Sequence, residues 1–172
     1  MIAFARAYQY FKEINTELIG LSIDSNASHL AWLYDIYCRT GIKILFPIIA
    51  DRSGQIARKY GMISSDVSNT QTVRNVFIID DNQIVRTILV YPMNVGRFIP
   101  EILRIVQALQ MADCSNGSTA ANWMPNMPLI TPMPNTFKQL EERVANINEQ
   151  KNGISWYLSF KQPDEKCINN CE

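Results

Sequence analysis

The apolar positions of the chain fall into blocks whose spacing switches between helical and strand-like periods. Ile2, Phe4, Tyr8 and Phe11 share one helical face within residues 1–14. No Ser, Thr, Asp or Asn stands ahead of them as a cap, so the chain reads as beginning inside a helix. Residues 17–23 read as a buried strand ending at Asp24-Ser25-Asn26, whose side chains suit a turn and a helix cap. The helix expected next presents His29, Leu30, Trp32, Leu33, Ile36 and Tyr37 as its apolar and aromatic face and stops at Thr40-Gly41. Phe46-Pro47-Ile48-Ile49-Ala50 follows as a short strand, with Pro47 near a sheet edge or strand start. Residues 51–53 cap a short helix through Tyr60, ended by Gly61, and residues 64–70 form a polar loop.

The clearest hairpin joins residues 73–79 to residues 84–90. Both runs are rich in β-branched residues, and Asp80-Asp81-Asn82-Gln83 between them suits a tight turn. Residues 97–112 predict an amphipathic helix with Phe98, Ile99, Ile102, Leu103, Val106 and Leu109 facing inward; Pro100 is tolerated because it lies near the first turn. From residue 113 the composition shifts. Pro125, Pro128, Pro132 and Pro134 lie among Trp123, Met124, Met127 and Met133, which fits an extended arm better than a core. A further helix is expected over residues 136–152, then a short aromatic segment at 154–160 and a loose tail beyond Pro163.

Composition narrows the class. At 172 residues, with 47% hydrophobic positions, the chain is long enough for a full core without a metal or disulfide staple. Sixteen basic residues balance sixteen acidic ones, which removes the long-range field of a nucleic-acid or anionic-membrane binder. Only 19% of positions are charged, below the usual ~25%, so part of the surface is expected to be covered in an oligomer. No run of about 18 apolar residues offers a membrane span, and Arg6, Gln9, Lys12 and Glu13 interrupt the first apolar block, unlike a signal-peptide core. A cytoplasmic location is the expectation. The four cysteines are scattered, so thiol chemistry or packing, not a disulfide scaffold, is expected to explain them.

The element order α-β-α-β-α-β-β-α resembles a thioredoxin-like α/β fold entered after its first strand. Particular segments sharpen this: residues 15–24, Ser28-His29 with Trp32, Phe46-Pro47-Ile48-Ile49-Ala50-Asp51, Thr72-Val73-Arg74-Asn75-Val76-Phe77, Tyr91-Pro92-Met93-Asn94-Val95-Gly96-Arg97 and Ala121-Asn122-Trp123. In this order they resemble the peroxiredoxin (AhpC/TSA) family, and within it the peroxiredoxin-6-type subgroup with a long C-terminal extension. The resemblance implies a peroxiredoxin core over residues 1–112, a dimerisation arm over 113–162 and a flexible tail over 163–172. It also implies reduction of hydrogen peroxide and organic hydroperoxides, a thioredoxin-like thiol reductant, a homodimer or larger ring, and no cofactor.

The family's nucleophile is a cysteine in a Pro-x-x-x-Thr/Ser-x-x-Cys motif at a helix N-terminus, where the helix end and an arginine favour the thiolate. None of Cys38, Cys114, Cys167 and Cys171 follows that pattern. The chain is therefore expected to be N-terminally incomplete, without the catalytic strand and cysteine, and inactive as a peroxidase. Arg74 and Arg97 match the family arginines beside the sulfur; the bland alternative is a strand-edge arginine paired to a carboxylate and a first-turn helix residue bonded to a loop. His29 is expected to be partly buried and bonded to a neighbour, and Cys38 to be a small packing residue. Cys114 has no partner in its local sequence.

Gly153 and Ser159 occupy positions where the family's C-terminal segment carries cysteines, which puts the usual resolving step in doubt. Cys167 and Cys171, three residues apart, offer a possible redox pair, against the simpler reading of two idle thiols in a solvated tail. Metal binding lacks a second ligand pair. Two rival functions remain open: a non-enzymatic oligomeric scaffold or chaperone-like remnant, and a redox module built on Cys167 and Cys171.

Overall fold

A computed structural model describes residues 1–63, 74–150 and 152–168. The chain divides into two compact units, Met1–Ile99 and Pro100–Glu172. The expected polar loop at 64–70 lies outside the described residues.

In the first unit the order is α1 (Ile2–Glu13), β1 (Gly20–Ser22), α2 (Asn26–Thr40), β2 (Ile48–Ala50), α3 (Gln55–Lys59), β3 (Arg74–Ile79) and β4 (Val85–Tyr91). Helix α1 buries Phe11 and stacks Tyr8 edge-on against Phe46, with ring centroids 5.6 Å apart, which ties it to the start of β2. Ser25 caps α2 by accepting from the Ser28 N–H, and Gly41 closes it with φ 69°, a left-handed conformation that glycine adopts without steric cost. Asp51 is buried and accepts the Ala57 N–H at 2.8 Å, so its carboxylate satisfies a backbone donor of α3.

The strands form two separate pairs. β1 runs parallel to β2, with Leu21 opposite Ile49. β3 runs antiparallel to β4, with Phe77 opposite Ile88. Asp80 organises the hairpin turn: its side chain accepts the N–H groups of Asn82 and Ile84, and Gln83 takes φ 64°. Among the described residues β1 and β3 each have one hydrogen-bonded neighbour.

The second unit holds α4 (Ile99–Ser115, counted from Pro100), β5 (Ser118–Thr119), β6 (Leu129–Ile130), α5 (Phe137–Gln150), β7 (Gly153–Ser155), β8 (Leu158–Lys161) and α6 (Glu165–Ile168). Its sheet has the order β5-β6-β8-β7. The core gathers Ala108 and Met111 of α4, Trp123, Leu129 and Cys167. The arm is therefore anchored at Trp123, whose indole N–H donates to the Met127 carbonyl at 3.0 Å. Arg104 fixes the same loop: it donates to the Trp123 carbonyl at 2.9 Å while forking onto both carboxylate oxygens of Glu101.

Three expectations need correction. Only His29 and Ile36 of the expected α2 face are buried; Leu30, Trp32 and Tyr37 are exposed, because residues 29, 33 and 36 form a narrow stripe and the others flank it. Phe98 is exposed, while Ala108, Met111 and Ser115 carry the buried side of α4 further along the helix. Beyond Pro163 the described tail is ordered: it turns into α6, whose Cys167 is 1% exposed.

Leu129→Ala should cost about 3 kcal/mol, since Leu129 is fully enclosed and its neighbours cannot all close on the void; a denaturant titration of both proteins measures it. Glu101 titrates below the ordinary carboxylate range, chiefly because Arg104 donates to it, with desolvation opposing. Its depressed folded value means the pair stabilises the protein above the ordinary glutamate range and loses that contribution as pH falls through the folded value. Glu101→Gln should thus cost under ~1 kcal/mol at pH 7 for this partly exposed pair, and the difference should vanish in strong acid.

Candidate functional site

Arg74 is the first residue of β3, opposite Tyr91 at the end of β4. Its Nη1 donates to the carbonyl of Val95 at 3.4 Å, and Nη2 of Arg97 donates to the carbonyl of Asn75 at 3.2 Å. Each arginine thus reaches the other's segment of backbone, and both are half-buried. Neither has a carboxylate within ion-pair distance among the described residues.

The electrostatics follow from that geometry. Burial pushes the Arg97 guanidinium down from its usual value, the nearby positive charge of Arg74 adds to the effect, and Tyr91 opposes it. The amino group of Met1 is lowered in turn, first by burial and then by Arg97. Beside these cations, the Asn75 Oδ1 is buried without a hydrogen-bond partner among the described residues. The sequence reading passed over Asn75, although it adjoins Arg74 in the same motif. A cluster of desolvated donors with no counter-charge stabilises negative charge arriving from outside.

The disulfide belongs to the second unit. Cys114, in the last turn of α4, is disulfide-bonded to Cys167 of α6, 53 residues later. Two cysteines expected to be unlinked are therefore joined, and Cys167 is bonded to a residue other than Cys171, which lies outside the described residues. A separation of 53 residues leaves no local signal for this pairing. Cys38 is a free, exposed thiol and not a packing residue, because its position on α2 faces away from the His29 and Ile36 stripe. His29 is buried as expected, but neither ring nitrogen has a hydrogen-bond partner among the described residues, contrary to the bonded histidine the sequence suggested.

Gly153 and Ser159 face each other across β7 and β8. A Cβ at Gly153 would come within 2.7 Å of the Ser159 Cα, so a side chain does not fit there without moving backbone. Ser159 is buried and hydrogen-bonded to the Thr131 hydroxyl.

Against known proteins, the sequence pattern of the AhpC/TSA family matches residues 1–88. The chain is 51% identical over 161 residues to peroxiredoxin 2 of Caldanaerobacter subterraneus subsp. tengcongensis, spanning 94% of this chain and 72% of that protein. The chain belongs to the peroxiredoxin family. It is also 43% identical over 171 residues to a peroxiredoxin of Aquifex aeolicus, covering 94% of this chain and 76% of the relative. Among solved structures it is similar to a yeast mitochondrial 1-Cys peroxiredoxin, with TM-score 0.78, 34% identity, and 93% and 76% of the two chains covered. A cysteine-to-serine variant of peroxiredoxin 6 of Arenicola marina matches with TM-score 0.78 at 27% identity, over 95% of this chain and 77% of that one. The two units therefore carry the thioredoxin-like α/β fold of a thiol peroxidase family.

If the arginine cluster of this peroxiredoxin receives anions, 100 mM sulfate should stabilise the native chain beyond Arg74→Met. The excess should be about 2.7 kcal/mol for an affinity of about 1 mM, and about 1 kcal/mol for one of about 20 mM. Parallel thermal melts measure it, and the variant controls for the general stabilising effect of sulfate.

Proposed function

We propose that residues 1–172 carry the peroxide-orienting half of a peroxiredoxin, with Arg74 and Arg97 polarising a hydroperoxide and stabilising the anion that develops as its O–O bond breaks. The observation that carries this reading is the pair of mutually anchored arginines with no carboxylate in ion-pair distance among the described residues. A thiolate nucleophile is the other requirement of the reaction. On this reading none of the four cysteines in this sequence serves, because none has the Pro-x-x-x-Thr/Ser-x-x spacing that seats the sulfur at a helix N-terminus. The chain is then inactive by itself and needs a strand and cysteine supplied from outside residues 1–172.

The same proposal assigns residues 1–112 to the peroxiredoxin core, 113–162 to a dimerisation arm and 163–172 to a tail. It places the protein in the cytoplasm, with a thioredoxin-like reductant and no nucleic-acid or membrane partner. Among the described residues no helix is long and apolar enough to cross a membrane. A homodimer or ring fits the exposed apolar side chains of the β3–β4 hairpin, where Ile84, Ile88 and Val90 are each more than half exposed. That exposure also favours the second reading, an oligomeric scaffold. Size measurement combined with a client-aggregation assay separates an inert monomer from it.

Peroxide consumption by the purified chain with a dithiol reductant should stay at background. Fusing a strand and a helix start of Pro-x-x-x-Thr/Ser-x-x-Cys pattern ahead of Met1 should create turnover, and Arg74→Met in that fusion should lower it by about 10²–10³-fold. Consumption by the unfused chain that disappears on replacing one of its own cysteines would overturn the proposal.

A further inference from the structure

The pairing of Cys114 with Cys167 is asymmetric in a way that bears on reactivity. Cys114 is exposed at the end of α4, whereas Cys167 is 1% exposed and belongs to the core beside Met111, Trp123 and Leu129. The bond thus joins an exposed residue to a buried one. Among the described residues, the tail that carries Cys167 buries Pro163 and makes hydrogen bonds to α4 and within itself. Lys161 donates to the Ser115 carbonyl, the Asp164 N–H reaches the Ser115 hydroxyl at 3.4 Å, and the Cys167 N–H closes a turn on the Asp164 carbonyl at 2.8 Å. α6 itself has only four residues, too short to hold its shape alone. The covalent bond therefore ties the described tail to α4 at Cys167, while Ala108, Met111, Trp123 and Leu129 pack together from other segments.

We propose that Cys114–Cys167 is a thiol–disulfide exchange site in the C-terminal unit, whose oxidation state sets whether residues 161–168 are docked on α4. Its substrates are a dithiol reductant and a low-molecular-weight disulfide. In the reductive direction a reductant thiolate attacks the Sγ of Cys114, the exposed residue of the pair, and the S–S bond breaks. Cys167 Sγ leaves as thiolate and takes a proton, and the reductant's second thiol attacks the mixed disulfide to release Cys114 and an oxidised reductant. In the oxidative direction the Cys114 thiolate attacks the small disulfide, expelling one thiolate. Cys167 then displaces the second and restores the bond. Two electrons move in each direction. The site needs neither the arginine cluster nor a peroxidatic cysteine, so it stands whether or not the peroxidase reading does.

The test uses the full chain with Cys38→Ser and Cys171→Ser, so that only Cys114 and Cys167 are counted, alongside the unsubstituted chain. Trypsin cleavage after Lys166 reports the tail, and Trp123 emission reports the core in a Trp32→Phe, Trp156→Phe background. In oxidised glutathione we expect no free thiols, and mass spectrometry of cleaved protein should find the peptide beginning at Cys167 still joined to Cys114. Dithiothreitol should expose two thiols, accelerate cleavage after Lys166 at least tenfold and shift Trp123 emission to the red; oxidised glutathione should reverse all three. Cys114→Ser should give the fast-cleaving form in either buffer. The proposal fails if the bond does not form in oxidised glutathione, if reduction leaves both cleavage and emission unchanged, or if reduction abolishes the helical signal of the whole chain.

Discussion

Backbone hydrogen bonding at strand edges is the constraint on which the first unit depends. A strand inside a sheet meets its amide and carbonyl demands on both sides, and a strand with one neighbour presents an unpaired row. Here β1 pairs only with β2 and β3 only with β4 among the described residues, so the strands form two ladders. The helices close over what those ladders offer: α1 through Tyr8 on Phe46, and α3 through Tyr60 against Phe77, with centroids 5.1 Å apart. The arginine cluster is a consequence of the same layout. Arg74 begins the β3 ladder and Arg97 reaches back to its second residue, so the site's geometry is held by the hairpin and does not require the two ladders to be joined.

Periodicity made the element order legible because the signals were local. The β-branched runs on either side of Asp80-Asp81-Asn82-Gln83 carried both the pairing and the turn, and Asp80 bonds the turn's backbone as its side-chain chemistry suggests. Ser25 and Gly41 likewise mark the two ends of α2. The choice of buried face was less legible. Leu30, Trp32 and Tyr37 look like part of a core stripe by composition, yet the stripe that is buried runs through His29 and Ile36. Hydrophobicity identifies candidates for burial, and only the tertiary partner decides which angular sector of a helix is used.

The site was legible in part for the same reason. Arg74 and Arg97 came from family motifs, and their mutual anchoring is a short-range result of a hairpin followed by a helix start. Asn75 was in view but its orphaned oxygen is a property of packing, which no linear pattern records. Cys114 and Cys167 were both visible as residues, but a link across 53 positions depends on the course of the intervening arm. The α6 turn at Cys167 was not legible either, because its contacts are that bond and the Ser115 hydroxyl, both distant in sequence.

Zero net charge and four cysteines are sums over the chain, and neither describes how the chain distributes its chemistry. Balanced charge coexists with a cluster in which Arg74, Arg97 and the Met1 amine share a half-buried region without a carboxylate among the described residues. The disulfide, which joins an exposed residue to a buried one, belongs to the other compact unit. Peroxide reduction needs a thiolate placed against cationic donors. Here the donors and the disulfide are built by different elements, each stable on local contacts of its own.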